Sequence, residues 1–280
     1  MKRQKYNAQV ADIVCHVRER CVLSAIRTGY RLIDTAQAYL NEEAVGSAIS
    51  KCGVPREDLF VTTKVWIDNY GYEKAKTSVL ESMKKLKTDY LDLCLIHQPF
   101  SDYYGAYHAL EDFYKEGKIR AIGVSNFYPD RLSDIVAFNE IVPQVNQVET
   151  NPAFQQIAAQ ENMEKHNVQI EAWAPFGEGR NNMFDNPVLK EIGEKHEKSV
   201  AQVILRWLIQ RKVVALAKST HENRIQENFN IFDFELVTEE MDIIRKLDTG
   251  KSLFFNHQDA ATVDFFLKRI NQIRNNVKNI

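Results

Sequence analysis

Four residues at or near the ends of three apolar runs have side chains that could act together in proton transfer. Asp34 lies near the end of the run in GYRLIDTAQAY, which also contains Tyr39, while Lys64 lies in LFVTTKV and His97 ends YLDLCLIH. A buried carboxylate needs a partner, and Lys64 could serve Asp34 in that way. A nearby ammonium favours the phenolate and lowers the pKa of tyrosine from about 10. This pattern predicts that Tyr39 is a proton donor.

Each of the four residues also has an ordinary structural explanation. Tyr39 could be a core tyrosine with a satisfied hydroxyl, and Asp34 could cap the helix that follows it. Lys64 could be a surface lysine, and His97 a hydrogen-bonded loop residue before Gln98. The proton-donor interpretation therefore depends on a fold that brings the four together.

The elements that would position these residues alternate along the chain. Short, nearly continuous apolar runs are typical of strands covered on both faces, and they are found at 30–36, 59–65, 90–97, 119–126, 143–149, 169–175 and 213–219. Amphipathic helical patterns separate them, which predicts a parallel sheet. Seven strands and one more near the N-terminus would make a (β/α)8 TIM barrel, and an open doubly wound sheet is the alternative. No linker or repeat divides the chain, so residues 1–280 are predicted to form one domain.

In a barrel of this kind the catalytic groups lie at the carboxyl ends of the strands. Polar and aromatic residues recur at those ends, and so many of them together are hard to dismiss as solvated loop residues. They are Asp34, Lys64, His97, Ser125, Asn126, Gln147, Trp173, Lys218 and Ser219.

Longer motifs resemble a known family. The segments GYRLIDTAQAY, TTKVW, LIHQP, GVSNF, VNQVETNP and AKST, in this order, are similar to the aldo-keto reductases, particularly the bacterial diketogluconate and glyoxal reductase types. The resemblance runs from about residue 20 onward. It implies a (β/α)8 barrel, reduction of aldehydes and small ketones, and a catalytic tetrad of Asp34, Tyr39, Lys64 and His97. In that tetrad Tyr39 donates the proton and His97 orients the substrate carbonyl.

A dinucleotide would have to be bound without the usual glycine motifs. GEGRNN at 177–182 lacks the third glycine of GxGxxG, and GxxxxGK is absent from the sequence. The resemblance implies NADPH as the cofactor. It implies that Ser125, Asn126 and Gln147 bind the nicotinamide carboxamide and that Trp173 stacks on the nicotinamide ring. The loop that crosses the pyrophosphate would include Phe176 and Gly177. The 2'-phosphate would be bound by Lys218, Ser219 and Arg224, and the adenine would lie near Glu227 and Asn228. Ala174 and Ala217 replace the family's usual serine and proline.

The substrate pocket is predicted to be walled by Trp66 and Phe127, beside His97. Residues 251–280 are predicted to form a C-terminal substrate loop and helix, and their aromatic residues could either line the pocket or pack the terminal helix.

Composition and residue spacing exclude several other classes of function. A formal charge of -2 argues against a general nucleic-acid binder. The fragments HEKS and HENRI lack the second histidine of HExxH, so no metal site is predicted and a zinc hydrolase on the same barrel has little support. The four cysteines have neither disulfide nor zinc spacing, and no run reaches membrane-spanning length. We expect a cytoplasmic protein, most simply a monomer, although an oligomer stays open.

The N-terminal region departs from the resembled family. A Gly-x-Gly-Thr-aromatic stretch is expected near residues 7–11, where this sequence has NAQVA. Either a divergent segment forms the first strand or the barrel has a gap. The alternative function is therefore a reductase-like protein that binds NADPH without useful turnover.

Overall fold

Parallel strands alternate with helices over the described part of the chain, which in this computed structural model comprises residues 13–14 and 19–278. The strands are β1 Ile13–Val14, β2 Leu32–Asp34, β3 Phe60–Val65, β4 Leu93–Ile96, β5 Ile122–Ser125, β6 Val145–Glu149, β7 Gln169–Trp173 and β8 Val214–Ala215. The helices are α1 Glu19–Thr28, α2 Glu42–Lys51, α3 Tyr72–Leu86, α4 Tyr103–Lys115, α5 Pro129–Phe138, α6 Ile157–Lys165, α7 Pro187–His196, α8 Val200–Gln210, α9 Glu222–Phe229, α10 Thr238–Arg245 and α11 Ala260–Lys278.

The strand order distinguishes between the two predicted architectures. All pairs are parallel, and hydrogen-bonded neighbours follow the chain from β1 to β8 without a reversal. A doubly wound sheet would reverse its order at a switch point. The predicted (β/α)8 barrel is therefore confirmed, as are the seven strands expected from the apolar runs.

A short first strand is present. Ile13 pairs with Ile33 and Val14 pairs with Asp34, so β1 is a divergent strand of two residues. Residues 7–11, where the family's glycine stretch was expected, lie outside the described residues.

Side chains of strand β4 alternate between two apolar layers. On β4, Cys94 and Ile96 belong to the main core between strands and helices, whereas Leu93 and Leu95 pack with Val145 in a separate cluster. Because successive strand residues point to opposite faces, the second cluster fills the barrel interior. The barrel is thus a packed core whose polar site lies at one end.

Helix α8 shows how local sequence fixes an outer element. Ser199 accepts from the Gln202 amide at 3.3 Å, and the Gln202 side chain accepts from the Ser199 amide at 3.0 Å. This capping box satisfies backbone groups in the first turn and so begins helix α8 after Ser199. Its buried face includes Ile204 and Trp207, and burial of each large apolar side chain contributes about 1.5–3 kcal/mol.

Across the described residues, no helix combines the length and apolar character needed to cross a membrane.

Candidate active site

The predicted strand-end residues gather at one end of the barrel. Asp34 ends β2, Lys64 is the penultimate residue of β3, and His97 directly follows β4. Ser125 and Trp173 end β5 and β7. Parallel neighbouring strands place these carboxyl ends side by side, which explains why residues far apart in sequence meet here.

Lys64 and Asp34 form a buried ion pair. The Lys64 ammonium donates to Asp34 Oδ1 and, at 3.0 Å, to the Thr35 carbonyl, and both charged side chains are fully shielded from solvent. Burial alone would lower the pKa of Lys64, but the charges of Asp34 and Tyr39 outweigh it and the net pKa is raised. Lys64 is therefore a permanent cation at neutral pH.

Tyr39 lies above this pair, on a short helical turn of residues 37–39 after β2. The Lys64 ammonium is 5.1 Å from the centre of the Tyr39 ring. The turn is tied to the end of β3, since the Trp66 amide donates to Gln37 Oε1 at 2.9 Å. Burial raises the pKa of Tyr39 above 10.0, while the Lys64 charge opposes that rise. The expected effect of Lys64 is present, but the prediction of a net lowered pKa is wrong because it left out burial.

His97 faces Tyr39 and Trp66. Its ring meets the Tyr39 ring edge-on at 5.7 Å and the Trp66 ring at 5.0 Å. Burial, the Lys64 charge and the Arg269 charge hold the pKa of His97 well below 6.5, so the imidazole is neutral. Within the described part of the chain, His97 Nδ1 and Trp66 Nε1 are buried without a hydrogen-bond partner.

A network of amides and one hydroxyl joins β4 to β7. Ser125 Oγ donates to the Gln147 carbonyl at 2.8 Å, and Asn126 Nδ2 donates to the His97 carbonyl at 3.1 Å. Trp173 Nε1 donates to Asn126 Oδ1 at 2.9 Å. Asn126 adopts φ 65° and Ala174 adopts φ 48°, a left-handed conformation that is strained for alanine and concentrates at functional sites.

Gln147 links two buried carboxyl groups inside the barrel. Its Nε2 donates to Asp34 Oδ2 at 3.0 Å and to Glu171 Oε2 at 3.1 Å. Glu171, on β7, was missed by the sequence analysis. The signal was its spacing two residues before Trp173, since residues i and i+2 of a strand share a face.

A cavity of ≈ 1560 Å³ opens above these groups. Thirteen of the predicted site residues line it, namely Tyr39, Trp66, His97, Ser125, Asn126, Gln147, Trp173, Phe176, Lys218, Ser219, Arg224, Glu227 and Asn228. Asp34 and Lys64 lie beneath the cavity rather than in its lining, as a supporting pair.

Two predicted residues occupy different positions. Phe127 is fully buried and packs edge-on against Tyr103 at 5.2 Å, so its predicted position in the pocket wall is wrong: its side chain turns into the outer core. Gly177 adopts φ 56°, and a Cβ there would lie 2.7 Å from Leu253 Cδ1. Gly177 thus lets its loop pack closely on the C-terminal segment instead of lining the cavity itself.

The C-terminal segment both packs and lines the cavity. Phe266 of α11 is buried against the Trp66 ring at 5.9 Å, while Phe254 and Phe255 join the lining. Glu149 anchors the segment by accepting from Ser252 Oγ at 2.5 Å and from the Leu253 amide at 2.9 Å.

Arg269 is a further lining residue that the sequence analysis missed. It lies on α11, one turn after Phe266, and is exposed at the cavity. Its charge helps to lower the pKa of His97 and opposes the rise in the pKa of Tyr39. Both effects are smaller than those of burial and of the Lys64 charge. No sequence pattern identified it, because its place depends on how α11 docks on the barrel.

Comparisons with known proteins agree with this architecture. The family model described as "Aldo/keto reductase family" matches residues 16–249. The chain is 50% identical over 228 residues to glyoxal reductase of Bacillus subtilis, covering 81% of this chain and 82% of that protein.

Solved structures show the same fold. An aldo-keto reductase from a Medee basin deep-sea metagenome library has a TM-score of 0.86 at 40% identity, covering 90% of this chain and 94% of that chain. A Bombyx mori aldo-keto reductase in complex with NADP has a TM-score of 0.81 at 35% identity, and the match covers 85% of this chain and 84% of that chain. The family match over most of the chain, the high identity to a reductase and the shared barrel together show that this chain belongs to the aldo/keto reductase family.

Proposed function

We propose that this protein reduces aldehydes and small ketones to alcohols with NADPH, and that Tyr39 donates the proton. The observation that carries the proposal is the buried Lys64 and Asp34 pair beneath Tyr39, with the His97 ring edge-on to the phenol at 5.7 Å. Bound NADPH would supply the hydride to the carbonyl carbon. The carbonyl oxygen then takes a proton, so it needs an acid within reach.

Tyr39 is suited to that role because its conjugate base would be stabilised where it forms. Loss of the proton leaves a phenolate beside the Lys64 ammonium, and opposite charges in a water-poor site attract strongly. Asp34 holds the ammonium in place and is itself held by Gln147. The raised pKa of the phenol keeps Tyr39 protonated until the substrate oxygen becomes basic.

Neutral His97 can donate a hydrogen bond to the carbonyl oxygen without competing as the acid. Its lowered pKa keeps one ring nitrogen protonated and the other free. Buried Trp66 Nε1, on the same cavity wall, is a second donor that needs an acceptor. A substrate with two oxygens would satisfy both donors, so we infer that small dicarbonyl compounds such as glyoxal and methylglyoxal are substrates; the similarity to glyoxal reductase supports this.

The cavity residues fit the cofactor. Ser125, Asn126 and Gln147 offer a hydroxyl and amides for the nicotinamide carboxamide. The Trp173 indole is held by its N–H on Asn126 and contacts the Phe254 ring at 5.1 Å, and an indole face has the π-surface to stack on the nicotinamide ring. Glu149 and Ser252 hold the segment from residue 251 onward against the barrel, so we assign that segment to the substrate wall.

The 2'-phosphate would lie between Lys218, Ser219 and Arg224, with Phe176 near the pyrophosphate and Glu227 and Asn228 near the adenine. Lys218 and Arg224 are exposed at the cavity, and neither joins an ion pair with another described residue. Two unpaired cations favour a phosphate-bearing cofactor. All of these groups come from one chain, so we expect the monomer to be active.

The test is NADPH binding and oxidation by the purified chain. We expect the fluorescence of NADPH to change on mixing, and NADPH to be consumed when methylglyoxal or glyoxal is added. Binding without consumption would replace the reductase with an NADPH-binding protein that lacks turnover. An unchanged fluorescence titration would remove the cofactor assignment as well.

A further inference from the structure

A second carboxyl group is buried inside the barrel beside the proposed catalytic pair. Glu171 is 3% exposed and Asp34 is 1% exposed. Interior positions of such barrels are usually occupied by branched apolar side chains, and a carboxyl group there costs free energy unless it is paired. Glu171 is unexplained by the apolar packing of the barrel.

The two carboxyl groups share one amide. Gln147 Nε2 has two hydrogens, and its two hydrogen bonds run to Asp34 Oδ2 and Glu171 Oε2 at 3.0 and 3.1 Å. Gln147 and Glu171 are register partners on β6 and β7, so the contact is set by the sheet itself. With both hydrogens committed, Oε1 is the atom of this amide that remains available to a ligand in the cavity.

The electrostatic surroundings of Glu171 come from several strands. Asp34 on β2, Lys64 on β3 and Gln147 on β6 face it, and its partner on β8 is apolar Val214. Burial and the Asp34 charge raise the pKa of Glu171 to about 7, against the opposing effects of Gln147 and Lys64. Glu171 therefore changes charge near neutral pH, where Lys64 stays charged.

We propose that Glu171 is a positioning residue for the reduction, holding Gln147 toward the cofactor and setting the charge felt by Lys64 and hence the proton-donating strength of Tyr39. The inference rests on the proposed function. Ionised Glu171 adds a negative charge near the ammonium, which weakens its stabilisation of the phenolate left by Tyr39. Protonated Glu171 removes that charge. The rate of reduction should thus fall as pH rises through about 7.

Two substitutions separate the charge from the hydrogen bond. Glu171→Gln keeps an acceptor for Gln147 and removes the ionisation. We expect this variant to bind NADPH as the natural chain does. We also expect its kcat no longer to fall as pH rises through about 7. Glu171→Met removes the acceptor and leaves a buried hydrogen of Gln147 unsatisfied, which should weaken NADPH binding about tenfold.

The matched control is Glu111→Gln. Glu111 is another buried glutamate, 5% exposed, and it accepts from the Ile141 amide at 2.8 Å on the outer helix α4. This variant should keep the natural pH profile and NADPH affinity. A changed profile there would show that any buried Glu→Gln change has the effect, and would overturn the assignment to Glu171.

Unfolding provides a readout that needs no cofactor. The pKa of Glu171 is raised in the folded state. Its favourable contribution to the free energy of unfolding is therefore complete below its unfolded-state pKa of 4.5 and is lost as pH rises to about 7. Glu171→Gln should therefore gain stability relative to the natural chain over that range. A constant difference between the two would overturn the inference.

The remaining outcomes distinguish the two proposals. The role of Glu171 would be overturned if kcat of Glu171→Gln still fell near pH 7, or if Glu171→Met bound NADPH with the affinity of the natural chain. Either result would leave the proposed reductase function intact. A natural chain that neither binds nor oxidises NADPH would overturn the proposed function, and this inference with it.

Discussion

The Lys64 ammonium is paired with the Asp34 carboxylate at the end of neighbouring strands, and neither side chain is exposed to solvent. Two opposite charges can be buried in a protein interior only when they are paired, because the attraction between them offsets the loss of their hydration. The same pair serves stability and, in the proposed reaction, the acidity of Tyr39.

Removing one member should destabilise the fold. In Lys64→Met the Asp34 carboxylate is left buried without its cation, and we expect the free energy of unfolding to fall by about 3–5 kcal/mol, with loss of turnover. The measurement is urea unfolding. The control is Lys118→Met, whose ammonium pairs with Glu116 on the surface with 45% of its side chain exposed; that variant should change stability by less than about 1 kcal/mol. Equal losses of stability in both variants would contradict the special contribution of the buried pair.

Acid should destabilise the protein through its buried histidines. Burial holds the pKa of His97 well below 6.5 and lowers that of His257 to about 4. The unfolded chain takes up these protons first, so the contribution of the two histidines to the free energy of unfolding is complete above about pH 6.5 and falls as pH drops toward 4. His257 Nε2 lies 2.9 Å from Gln98 Oε1, and His257→Asn should flatten this dependence in unfolding measured across the range. The same slope in both chains would contradict the predicted contribution of His257.

The fold was largely predictable because strands buried on both faces leave continuous apolar runs. All seven such runs became strands, and helices α2 to α8 fall between them as the helical patterns predicted. Helices α1, α9 and α10 were not predicted, because they lie before the first or after the last of these runs and so outside the helical patterns that separate them. β1 was uncertain because its two residues carry too little pattern, and its strand character depends on pairing with β2.

The site was predictable where a residue lies at a strand end, and less so where tertiary packing decides. Phe127 follows Ser125 and Asn126, yet its side chain turns into the outer core. Glu171 lies within a strand whose inward face is fixed only by register. Arg269 reaches the cavity only because Phe266 and Ile270 dock α11 on Trp66.

Arg224 should discriminate between the two nicotinamide cofactors. A guanidinium bound to a phosphate contributes more than a neutral hydrogen bond, so Arg224→Ala should raise the Kd of NADPH about tenfold or more. The Kd of NADH should stay unchanged, since NADH lacks the 2'-phosphate. Fluorescence titration with both cofactors measures this, with the surface variant Arg131→Ala as control. An equal rise for both would assign Arg224 to general binding.

Arg269 should favour carbonyl substrates that carry a negative charge. Its guanidinium lies at the cavity and acts electrostatically on both Tyr39 and His97. In Arg269→Met, kcat/KM for glyoxylate should fall about tenfold relative to methylglyoxal, and Arg269→Lys should retain much of the preference. A parallel fall for charged and neutral substrates would point to a loss of helix docking instead.

The proposed reaction depends on Tyr39 as the source of the proton. Rapid mixing of methylglyoxal with the chain already saturated with NADPH measures the rate of NADPH oxidation in a single turnover. Tyr39→Phe keeps the ring against His97 and Lys64 but removes the acid, so its rate should fall about 10²- to 10⁴-fold while its Kd for NADPH stays that of the natural chain. An oxidation rate in Tyr39→Phe equal to that of the natural chain would contradict the role of Tyr39 as the proton donor.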